Sequence, residues 1–171
     1  MSLSYMVYDT ALGQITMVSD GKAIVALRYG AVGLSNGDFH EDGRLYDAIA
    51  EINQYCFGQR KQFDLPLDPY GSAFELKVYK KIQEIPYGKT VKLSELTASL
   101  GKAATLEKTK EAVLGNPIPI LIPCHRVISD EGKSLGYPGG APLQKKILQM
   151  ERANMNRTFV APTDYKDPED I

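Results

Sequence analysis

The residues with the most chemical potential in this chain are Pro123-Cys-His-Arg-Val127. A thiolate is intrinsically very nucleophilic, and an adjacent imidazole is a base able to take its proton. Arg126 adds a permanent positive charge, and cationic neighbours favour thiolate over thiol. The preceding run, Pro119-Ile-Leu-Ile-Pro123, pulls the other way, because a cysteine deep in apolar surroundings is ordinarily inert. Residue types alone therefore leave Cys124 open between a reactive thiol and a core side chain. The second cysteine, Cys56, falls on the buried face of a helical pattern and reads as core. With two Cys and two His (His40 and His125), a structural zinc site is not expected.

Several elements must position that segment. Residues 5–9, 14–18 and 23–29 are β-rich runs separated by turn residues, which predicts an antiparallel meander. Residues 30–41 read as loop. Over 42–57, Leu45, Ile49, Ile52 and Cys56 recur at helical spacing, and Gly58 ends the pattern. Residues 63–67 read as a short edge strand, and 68–71 as a turn at a domain boundary. Ser72-Ala-Phe-Glu75 is a capping box opening a helix through Ile82, with Phe74, Val78 and Ile82 inward. A short helix over 93–100 stops at Gly101; Thr105 caps another that runs to Leu114. That pair is consistent with a helix-turn-helix. The apolar stretch 118–123, bracketed by prolines, is expected to be extended and buried. A last helix over 142–155 turns Leu143, Ile147 and Met150 inward, and a polar tail over 156–171 is expected to be disordered.

Composition narrows the class. A chain of 171 residues, 43% hydrophobic, can bury a core without disulfides or metal. Two cysteines imply a reducing compartment, and the cytoplasm is expected. No apolar run approaches the length of a bilayer span, so no membrane partner is expected. The net charge of −1 divides unevenly: −4 over residues 1–68, +5 over 69–155 and −2 over 156–171. A basic second unit is compatible with a phosphate-bearing partner, although charge also fluctuates between segments without function.

Together these residues resemble a known family. Pro123-Cys-His-Arg-Val127 is similar to the active-site motif of the O6-alkylguanine-DNA alkyltransferases, the methylated-DNA–protein-cysteine methyltransferases. The likeness extends through Tyr8-Asp-Thr-Ala-Leu-Gly13, Phe57-Gly-Gln-Arg60, Ile85-Pro-Tyr-Gly88, Asn116-Pro117, Gly136-Tyr137 and Gly139-Gly140. It implies an α+β protein: a small β-meander-plus-helix domain over 1–68, then a helical, winged-helix-like domain over 69–155. It also implies a single-turnover, cofactor-free reaction, in which Cys124 takes the alkyl group from guanine O6 (or thymine O4) in double-stranded DNA. By the same resemblance His125 is the base that reaches the thiol through a water, and Glu151 orients it. Asn116 ties the helix-turn-helix to the cysteine segment, and Tyr137 is a pocket wall. Arg126 and Val127 belong to the motif's substrate side, and the protein is expected to act as a monomer.

The sequence departs from that family on the DNA side. The position from which the family inserts an arginine into the duplex is Glu107, flanked by Lys108 and Lys110. The position of a tyrosine that hydrogen-bonds the leaving guanine is Leu93. Where a backbone N–H faces O6, this chain has Pro138, which has none. Two other readings therefore stay open: a lesion sensor with little or no transfer, and a Cys-His hydrolase acting on another substrate.

Overall fold

In the computed structural model, which describes residues 2–155, β1 (Leu3–Thr10), β2 (Gly13–Ser19) and β3 (Ile24–Tyr29) form the expected antiparallel meander. β2 is its buried centre, with Ile15 and Met17 fully enclosed. The stretch expected as loop contains a further strand, β4 (Gly37–Phe39), which pairs in parallel with β1 and gives the sheet order β3-β2-β1-β4. Three residues, two of them exposed, carry no apolar alternation, so β4 exists by pairing and not by pattern.

α1 (Gly43–Cys56) starts where expected, Asp42 accepting from the Leu45 N–H. Its buried face consists of Leu45, Ala48, Ile52 and Tyr55, so Ile49 and Cys56 lie only partly buried at its flank. The expected edge strand at 63–67 does not form; one parallel bridge, Ile24 to Leu67, stands in its place. Pro66 accepts from Ile24 through its carbonyl (3.0 Å) but has no N–H with which to extend a ladder.

The second half is helical. Ser72 and Glu75 form the capping box of α2 (Ala73–Gln83). α3 (Leu93–Ser99) and α4 (Leu106–Leu114), the latter capped by Thr105, make the helix-turn-helix. α5 (Ala141–Asn154) closes the fold, with Gln144, Ile147 and Glu151 as its buried residues. Leu143 and Met150 are partly buried. The two-residue strands β5 (Val91–Lys92) and β6 (Val127–Ile128) pair in parallel and fix the start of α3 to the residues just after the Cys-His-Arg segment. The tail over 156–171 lies outside the described residues.

One expectation about the core is corrected. The 118–123 stretch is buried but not extended: Ile122 N–H donates to the Ile118 carbonyl at 2.9 Å, closing a turn. Pro119 suits such a turn because its φ is already fixed. Ile120 sits at φ +74°, a left-handed conformation that is a genuine outlier for a β-branched residue. Such strain costs about 1–3 kcal/mol and persists only where packing over-determines it; Ile118, Ile120 and Ile122 are all essentially enclosed. The turn delivers the chain into a single 3-10 turn, Cys124–Arg126.

Candidate active site

Cys124 is 3% exposed, and burial pushes its thiol up to about 11, against a smaller lowering by a hydrogen bond from Asn116. The resting group is therefore a thiol. The expectation that Arg126 favours thiolate is corrected by its direction: the guanidinium is committed to Glu151 and the Ile85 carbonyl. A thiolate at this position needs a proton acceptor at the moment of reaction.

The adjacent residue is a candidate for one. His125 is fully buried, and its Nε2 lies 2.7 Å from Glu151 Oε2. A carboxylate can only accept, so Nε2 carries the proton and the Nδ1 lone pair stays available. Nδ1 is buried with no hydrogen-bond partner among the described residues. Burial lowers the ring's pKa, opposed by its bond to Glu151, so the imidazole is neutral at neutral pH.

Glu151 is the hub. Its carboxylate accepts from His125 Nε2, from Arg126 Nε (2.9 Å) and Nη2 (2.8 Å), from the Gly88 N–H (3.1 Å) and from the Tyr55 hydroxyl. Burial alone would raise its pKa, but the bonds from His125 and Arg126 outweigh that and hold it at about 2. A fully enclosed carboxylate is tolerable only with such a shell. Two of these partners, Tyr55 and Gly88, are not among the site residues to which the sequence points. Tyr55 is legible only once the face of α1 is known. Gly88 takes φ +77° at the end of the Pro86-Tyr-Gly turn, which aims its N–H inward.

Asn116 braces the segment from below. Its Oδ1 accepts from Ile118 N–H (3.0 Å) and its Nδ2 donates to the Ile122 carbonyl (2.8 Å), spanning the strained turn. Gln144 of α5, also missed from sequence, donates to the His125 carbonyl at 2.9 Å. Tyr137 is 8% exposed, its ring edge-on to His125 at 6.3 Å. Pro138 is the second residue of a β-turn closed by Gly140 N–H to the Tyr137 carbonyl (2.8 Å), a position that suits proline. At the next position, Gly139, a Cβ would meet Leu143 at 2.4 Å and the Tyr29 ring at 3.0 Å, so the loop packs tightly against the end of β3 and the start of α5.

Leu93 is buried at the start of α3, and Val127 is buried in β6, its N–H bonded to the Cys124 carbonyl. Glu107, Lys108 and Lys110 are all exposed on α4. The Leu93 side chain has no hydrogen-bond donor, and Pro138 has no N–H. Among the described residues no group of three His, Cys, Asp or Glu could hold a metal ion, and no helix is long and apolar enough to cross a membrane.

Comparison with known proteins accounts for both halves. Residues 3–69 match the family profile "6-O-methylguanine DNA methyltransferase, ribonuclease-like domain", and 73–153 match "6-O-methylguanine DNA methyltransferase, DNA binding domain". The methylated-DNA–protein-cysteine methyltransferase of Methanosarcina barkeri is 32% identical over 155 residues, covering 88% of this chain and 98% of that one. The protein of the same name from Mycobacterium tuberculosis is 30% identical over 154 residues, 88% of this chain and 93% of that one. A crystal structure of M. tuberculosis OGT in complex with DNA superposes with a TM-score of 0.81 at 30% identity, over 88% of this chain and 94% of that one. With a buried Cys-His-Glu arrangement in the same fold, this chain belongs to the 6-O-methylguanine DNA methyltransferase family.

Proposed function

We propose that this protein is a DNA-repair alkyltransferase that moves the alkyl group of O6-alkylguanine in duplex DNA irreversibly to Cys124. The observation that carries the reading is a buried cysteine next in sequence to a buried histidine whose Nε2 is held by Glu151, leaving Nδ1 without a partner among the described residues. His125 Nδ1 takes the Cys124 proton through a water, and the Sγ–C bond forms as the C–O6 bond breaks. The electron pair stays on the guanine, which regains a proton, so the net products are a thioether and an ordinary guanine. Because the thioether is stable, each molecule acts once, and no cofactor enters the balance.

Asn116 supports this role by holding the turn under Cys124 and donating toward the sulfur. Glu151 keeps His125 in the tautomer whose lone pair can act. Tyr137 and Val127 wall the pocket, and α4, with Glu107, Lys108 and Lys110, faces the DNA. The O6 substituent cannot meet a buried sulfur while the base is stacked, so the base must be flipped. We place the protein in the cytoplasm as a monomer, with the division between its units at the turn over 68–71.

Intact-protein mass after incubation with a short duplex containing O6-methylguanine tests this. The expected result is a gain of one methyl group, confined to Cys124 and lost in Cys124→Ser. An unchanged mass under saturating duplex would overturn it and favour the lesion sensor, a reading that the buried Leu93 and acidic Glu107 lend some support. More than one product per protein would indicate the hydrolase.

A further inference from the structure

The hydroxyl of Tyr55 comes from α1, in the N-terminal half, yet it ends on Glu151 Oε2, the same oxygen that receives His125 Nε2. Tyr55 is fully buried, and its hydroxyl also lies 3.5 Å from His125 Nε2. We propose that Tyr55 is a positioning residue for alkyl transfer, whose phenol competes with His125 for one carboxylate oxygen and so holds the imidazole less basic than Glu151 alone would make it. This rests on the reading of His125 as the base.

The geometry fixes the direction of the effect. Burial and the negative charge of Glu151 keep the phenol protonated, so Tyr55 donates and does not accept. Each hydrogen bond donated to a carboxylate oxygen lowers its power to stabilise an imidazolium beside it. Arg126 acts the same way on both oxygens, and Gly88 N–H on Oε1. The remaining ionisable groups facing the pair are Cys124 next in sequence, Tyr137 edge-on to the imidazole, and Tyr87 beside Arg126 and Glu151. Lys61 lies behind Tyr87, 5.9 Å above its ring. Among the described residues, Tyr55 alone hydrogen-bonds the shared oxygen from the N-terminal half. That half therefore does more than support the fold: it sets the pH at which the base works.

The test is the pH dependence of single-turnover methyl transfer from an O6-methylguanine duplex, measured on the full chain. The His125 ring titration is followed alongside by NMR, which is simple because His40 is the only other histidine. Tyr55→Phe should move the acid limb and the His125 titration upward together by about half to one pH unit, the worth of one ordinary hydrogen bond. The rate on the plateau above the limb should stay within about fivefold of wild type. 3,5-Difluorotyrosine placed at position 55, a stronger donor of the same shape, should move both downward. Opposite shifts are something that lost packing cannot produce. No shift in either variant, or shifts of the same sign, would overturn the proposal. If Tyr55→Phe does not fold, the fluorinated protein decides alone. A wild type that transfers methyl with an unmoved limb in both variants sinks only the role of Tyr55; a wild type that transfers nothing sinks the functional reading, and the NMR titration still reads the coupling.

Discussion

The hydroxyl of Tyr29 lies 2.6 Å from the hydroxyl of Tyr137, joining the end of β3 to the loop that precedes α5. The two rings are tilted at 59° with centroids 5.7 Å apart, and the Tyr29 ring also packs where Gly139 lacks a side chain. The meander therefore braces the loop that carries Tyr137. Removing that bond while keeping the ring, in Tyr29→Phe, should slow methyl transfer by about three- to tenfold, the worth of one hydrogen bond in a rigid wall. Tyr29→Ala should cost more, because the loop loses its packing as well. Single-turnover rates with the O6-methylguanine duplex check this, and a Tyr29→Phe rate equal to wild type would mean that Tyr137 is held by the loop alone.

Arg126 should matter for stability before chemistry. Its guanidinium uses three nitrogens on Glu151 and the Ile85 carbonyl, with a side chain 7% exposed. Truncating one partner of a buried pair leaves the other charge uncompensated, at about 3–5 kcal/mol. Arg126→Met should lower urea stability by about that amount. Arg126→Lys should recover little, since an ammonium cannot reproduce the fork. A fully stable Arg126→Lys would show that the charge suffices without the geometry.

Acid should loosen this network in two steps. The folded pKa of His125 lies below its usual value, so the unfolded chain takes a proton near pH 6.5 that the folded one refuses. Its contribution is therefore present above about 6.5 and falls away as the pH drops below that. Glu151, held at about 2 when folded, contributes above the ordinary carboxylate range and loses that contribution as the pH falls from about 4.5 toward 2. Thermal unfolding from pH 8 to 3 should show both declines in wild type. In Glu151→Gln the lower one should vanish on a less stable background; persistence of the lower decline there would assign it to other carboxylates.

How far the sequence carries depends on whether a feature is local. The capping box of Ser72 and Glu75 and the Thr105 cap each need four residues, and both form where the pattern places them. Tyr55 is different. The spacing 45, 49, 52, 56 and the spacing 45, 48, 52, 55 fit a 3.6-residue period equally well, and only docking on the sheet selects the second, which puts a phenol on Glu151. β4 and the left-handed Ile120 are likewise set by partners distant in sequence: β1 for the strand, the enclosing core for the turn. The Cys-His-Arg segment was legible as chemistry, but not that Arg126 turns to the carboxylate instead of the thiol. Direction of a side chain is a tertiary property.

One substitution on α4 tests the role proposed for its exposed face. Glu107 is exposed in the first turn of α4, where its charge suits the helix dipole but opposes phosphates. Leu106 beside it is 51% exposed and Lys108 follows, so the first turn of this helix offers an apolar, an acidic and a basic side chain. Glu107→Arg replaces a repelled carboxylate with a guanidinium suited to phosphate contact and to occupying a vacated stack. It should tighten binding to duplex and steepen the fall of affinity with salt, by about one unit of slope for each added phosphate contact. Transfer from duplex should speed up, while reactivity toward the free O6-methylguanine base, which needs no flipping, should barely change. The comparison of the two substrates is what decides. Equal acceleration of both would place Glu107 near the chemistry instead of the DNA, and no gain on duplex would move the inserting role to Lys108 or Lys110, its exposed neighbours on the same helix.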